Sequence, residues 1–79
     1  MVRTAISSDE LLDWLNTELA KVDACQHCRF TSVSHAGEQD PEGCNWSPTN
    51  LRCSGTPASV CSHAADRTVE AARRRFNLH

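Results

Sequence analysis

Five cysteines in a chain of 79 residues narrow what it can fold into more than any other feature, and four of them, Cys25, Cys28, Cys44 and Cys53, share one central stretch. A domain this small has little apolar surface to bury, so its cysteines serve as staples, metal ligands or small core side chains. The odd count sits poorly with a closed disulfide framework. The opening residues, from Met1 to Ser7, hold no apolar run of the kind that begins a secretory leader. The expectation is therefore a cytoplasmic setting with the thiols mostly reduced.

The aromatic side chains are few: Trp14, Phe30, Trp46 and Phe76, with no tyrosine. They predict a thin core, to which a homodimer contact or a bound partner would add burial. No stretch approaches the roughly 18 apolar residues that span a bilayer. Charge is unevenly placed. Residues 1–45 carry three basic against eight acidic side chains, or −5, whereas residues 46–79 carry five basic against two acidic, or +3. Such asymmetry can orient a partner, although helix surfaces complementing their own dipoles produce the same pattern.

Local signals predict an α+β fold in the order helix, strand, strand, helix, with two helices packed on an antiparallel hairpin. The whole chain, 1–79, reads as one small domain with a flexible N-terminus over residues 1–6. Ser7 and Glu10 form a capping box, with Ile6 and Leu11 as its hydrophobic staple. Leu11, Leu12, Leu15, Leu19 and Val22 then share one face, with Trp14 at its edge, so the first helix spans about residues 8–22. Residues 28–35 are rich in β-branched side chains and predict a strand whose imperfect alternation leaves room for a bulge. Residues 36–43 form an acidic loop. A second strand over residues 44–53 is interrupted by Pro48, which marks it as an edge or two short pieces. Thr56 as N-cap and Pro57 at the first helical position open the second helix. Its apolar stripe is Ala58, Cys61, Ala65, Val69, Ala72 and Phe76, and Arg73, Arg74 and Arg75 close it where cations suit the dipole.

Three chemistries compete for the cysteines. Cys25 and Cys28 make half of a zinc site, which Cys44 and Cys53 would complete; Cys61, His35 and His63 are further ligands. The second half of a standard zinc spacing is missing, and Cys61 belongs to an apolar stripe, where a thiol behaves as a small hydrophobe. A thiol-redox reading of the same pair lacks the helix N-terminus that normally lowers the first thiol's pKa. A hairpin folded about the acidic loop would instead set Cys28 opposite Cys53 and allow a disulfide there; Cys25–Cys28 is the other nearby pair.

No nucleophile elbow, phosphate loop or zinc-protease motif is present, which argues against an enzyme. Asn45-Trp46-Ser47 matches the glycosylation sequon, accidental in a cytoplasmic chain. Direct nucleic-acid binding through Arg67, Arg73, Arg74 and Arg75 is disfavoured by the acidic overall charge. The reading that remains is a non-catalytic module that binds another protein, as an inhibitor or adaptor, with no obligatory cofactor. Trp46 on an edge strand and the acids Glu38, Asp40 and Glu42 are its expected contact residues, with Trp46 as a core side chain the competing assignment. A zinc-stabilised module is the alternative and a thiol-redox protein the second.

Overall fold

The computed structural model describes residues 4–35, 37–39, 43–48 and 50–78. The first strand, β1 (Thr4–Ile6), leads into helix α1 (Ser8–Ala20). The expected cap is in place: the Ser7 hydroxyl oxygen accepts the Glu10 backbone N–H at 3.2 Å and donates to the Glu10 carboxylate at 3.0 Å. Leu11, Leu15 and Leu19 are fully buried, each removal from water contributing about 1.5–3 kcal/mol. The helix ends at Ala20, short of the expected Val22, whose extended backbone opens a single 3-10 turn at Asp23–Cys25.

Two strand segments follow on each side of the hairpin. Antiparallel pairing joins β2 (Cys28–Phe30) to β5 (Leu51–Cys53) and β3 (Val33–His35) to β4 (Trp46–Pro48). Both ladders keep one register, from Cys28 opposite Cys53 to His35 opposite Trp46, so no residue is inserted and there is no net bulge. What changes is the face. Cys28 and Phe30 point inward on β2, whereas half-buried Val33 and its partner Pro48 continue the inner face beyond the break. The switch falls between Phe30 and Val33 on one strand and between Pro48 and Leu51 on the other. A matched reversal of this kind explains the imperfect alternation, because a two-residue period cannot run unbroken through it.

Gly55, at φ 74°, ends the hairpin in a backbone conformation that a side chain disfavours. Helix α2 (Ala58–Arg75) starts one step later than expected, with extended Pro57 as its flanking residue and no side-chain cap. Cys61, Ala65 and Ala72 bury the stripe, and these small residues let α2 pack closely on α1 and on the 3-10 turn.

Two corrections concern the chain ends. Phe76 does not continue the helical stripe; the backbone turns extended there and forms β6 (Phe76–Leu78). That strand pairs in parallel with β1, Thr4 opposite Phe76 and Ile6 opposite Leu78. Residues 4–6, expected as flexible, are thus a strand. The result is a small α+β fold with two helices packed on antiparallel strand pairs, closed by a parallel pair between its ends. Among the described residues, no helix is long and apolar enough to cross a membrane.

Candidate functional site

The cysteines sort by partner. Cys25 of the 3-10 turn is bonded to Cys61 of α2, and Cys28 of β2 to Cys53 of β5. Four thiols expected to be mostly reduced are therefore oxidised. The hairpin register delivers the second bridge, as the antiparallel pairing implied. The first draws on Cys61, whose place in the apolar stripe is correct but whose sulfur does more than fill space: it ties the second helix to the end of the first. Cys44 takes part in neither bridge and is buried, its Sγ donating to the Trp46 carbonyl at 3.4 Å.

This pairing does not fit the expected zinc ligands. Cys25, Cys28 and Cys53 have no thiolate to offer while oxidised, and a metal needs the deprotonated sulfur. Among the described residues, no group of three or more His, Cys, Asp or Glu side chains converges on a common point. His35 is exposed, its Nδ1 accepting the Gly37 N–H at 2.9 Å, and His63 lies exposed on α2.

Trp46, expected as an exposed contact residue, is corrected to core. It is 2% exposed, and its Nε1–H donates to the Phe76 carbonyl at 2.9 Å. The competing assignment, a core side chain, is the one observed. Of the acidic contact residues, Glu38 is exposed, while Asp40 and Glu42 lie outside the described residues.

Three asparagines carry structure that propensity does not reveal. Asn45 flanks Trp46 and holds the outer edge of β6, accepting the Leu78 N–H at 2.8 Å and donating to the Leu78 carbonyl at 3.0 Å. Asn77 donates from β6 to the Gly43 carbonyl at 3.1 Å. Asn16 on α1 repeats the two-bond clasp on Phe30 of β2. A side-chain amide presents one donor and one acceptor with the spacing of a peptide group, so it caps a strand edge as another strand would. In Asn45-Trp46-Ser47 the amide that would carry a glycan is thus already engaged.

Two surface grooves bring chemistry-bearing side chains together. The first runs between the helices and holds about 460 Å³, open to solvent. Trp14, Glu18, Lys21 and Val22 form one wall, and His63, Ala64, Arg67, Thr68 and Ala71 the other. Trp14, at the edge of the leucine face, is only partly buried. It stands edge-on to Phe76 with ring centroids 5.3 Å apart, and the Arg75 guanidinium sits 6.0 Å from its ring centre. Glu18 is held by Lys21 at 2.6 Å, which leaves Arg67 and Arg75 as a surplus of positive charge around the tryptophan. The second groove, of about 440 Å³, exposes the Cys28–Cys53 bridge beside Gln26, His27, Arg29, Arg52 and Ser54. No protein-family model, curated protein or solved structure matches the chain.

Proposed function

We propose that this protein is a non-catalytic binding module that engages another protein along the groove between α1 and α2. The observation that carries the reading is Trp14: a half-buried aromatic in an open groove, backed by Phe76 and flanked by cations. Tryptophan and arginine dominate the residues whose loss weakens protein interfaces. The surplus positive charge selects the occupant, an acidic segment that also carries apolar side chains. Two disulfides favour this role because a small scaffold held rigid loses less conformational freedom on binding. Inhibitor and adaptor are the two uses that need no chemistry of the module's own. Disulfides persist in oxidising compartments, and the proposed place of action is such a compartment rather than the cytosol.

The test is selection from a displayed peptide library against the wild-type chain and against Arg67→Glu/Ala71→Glu, two exposed groove positions. Peptides pairing Asp or Glu with aromatic or aliphatic residues are expected to enrich on the wild type and to lose binding at least tenfold on the variant. Enrichment that is equal on both proteins, or absent from both, removes the groove as the binding surface.

A further inference from the structure

The two disulfides occupy opposite environments. Cys25 and Cys61 are both 0% exposed, sealed between the 3-10 turn and α2. The Cys28–Cys53 bridge instead lines an open groove, with Cys28 at 7% exposure and Cys53 only partly buried. The hairpin register sets Arg29 directly opposite Arg52, one step along each strand from the two cysteines. Like charges placed opposite each other on a sheet disfavour the pairing, yet here Arg29 and Arg52, with His27, are among the residues that line the groove of the bridge. Positive charge along a groove raises the local concentration of anionic reactants.

We infer that Cys28–Cys53 is an exchangeable disulfide, opened by an anionic small-molecule thiol that docks against Arg29 and Arg52, while Cys25–Cys61 is the permanent staple. The incoming thiolate attacks Cys53 Sγ, on the more exposed of the two cysteines. A new sulfur–sulfur bond forms there, and the Cys28–Cys53 bond breaks, its electron pair leaving on Cys28 as a thiolate. A second molecule of the thiol attacks the sulfur of the first, releasing Cys53 as a thiolate and the small molecule as its own disulfide. Two external thiols are oxidised, one protein disulfide is reduced, and solvent supplies the protons to the released cysteines. Opening this bridge unlocks the hairpin from the end remote from the acidic loop.

The experiment uses the full chain with two reductants of opposite charge, glutathione (anionic) and cysteamine (cationic). Samples quenched over time are alkylated and the modified cysteines mapped by mass spectrometry. Cys28 and Cys53 are expected to appear at least tenfold faster than Cys25 and Cys61, with the helices retained throughout. Glutathione is expected to outpace cysteamine, after correction for their rates with a neutral model disulfide. Arg29→Gln/Arg52→Gln should reduce that preference about tenfold. Raising the salt concentration should do the same to the wild type, a second reading that does not depend on how the variant folds. Simultaneous opening of both bridges, unfolding on the first reduction, or a preference indifferent to salt would overturn the assignment.

Discussion

Asn16 holds Phe30 by both backbone groups: its Oδ1 accepts the Phe30 N–H at 2.8 Å, and its Nδ2 donates to the Phe30 carbonyl at 3.2 Å. Phe30 is 5% exposed and pairs with Leu51 of β5, and among the described residues no strand lies along the other edge of β2 to take those groups. One side chain thereby docks the first helix on the hairpin. Asn16→Ala is expected to cost about 1–3 kcal/mol, the range for stranding a buried backbone group. Asn16→Asp, which keeps the acceptor and loses the donor, should recover part of it. Urea unfolding of the three proteins checks the order.

Trp46→Ala should act on stability rather than on partner affinity. Truncating a buried aromatic costs about 3–5 kcal/mol, a large share of what a domain this small possesses. Trp46→Phe retains most of the packing but loses the hydrogen bond to Phe76, so its midpoint in urea should lie between the other two.

The two bridges should differ in what their removal does. Cys25–Cys61 closes a loop of sequence separation 36 and Cys28–Cys53 one of 25. In the chain-entropy picture the two are nearly equal, about 3.5–4 kcal/mol each. The buried bridge also fills core volume, so Cys25→Ala/Cys61→Ala is expected to be the more destabilising pair. Thermal unfolding of both double variants beside the wild type measures the difference; an equal loss would show that packing at the buried sulfurs adds nothing.

Thiol accounting offers a direct check of the pairing. The native chain should show no rapid reaction with an aromatic disulfide reagent, because Cys44 is 1% exposed. After denaturation without reductant, one thiol per chain should react. Five reactive thiols would mean that the bridges are not made.

Ser7→Ala removes both bonds to Glu10 and should destabilise the chain by about 0.5–2 kcal/mol. Glu18→Gln, by contrast, breaks only an exposed ion pair with Lys21 and should change stability by less than about 0.5 kcal/mol, an effect that salt erases. Denaturation curves at low and high ionic strength separate the two.

What could be read in advance was what neighbours in sequence determine. Ser7 and Glu10 lie within one helical turn of each other, and the leucines of α1 repeat with its period, so cap, face and helix followed from the residues themselves. The pairing of Cys28 with Cys53 was within reach because a hairpin constrains its own register. Phe76 misleads for the same reason that these residues inform. It falls in phase with the α2 stripe, and only Thr4–Ile6, over seventy positions earlier, supplies the partner that draws it into a strand. Cys25–Cys61 was hidden because helical periodicity treats a cysteine and an alanine alike. Trp46 sits in a polar sequence whose asparagine turned out to be a strand clasp, so local polarity misreported its burial. The Trp14 groove needs both helices in place before it exists; the edge position of Trp14 beside the leucine stripe was its only trace.

The parallel pairing of β1 with β6 also decides how this molecule bears a load. The chain enters β1 at Thr4 and leaves β6 at Leu78, which lie at opposite ends of the pair. A pull applied to the two flanks therefore slides one strand along the other, so that their cross-links share the tension instead of parting one by one. Should they yield, the Cys25–Cys61 bond shunts the force past everything between those two residues. The hairpin and the start of α2 stay off the load path, and the molecule lengthens through α1, the turn that follows it, the rest of α2 and the strands at its ends.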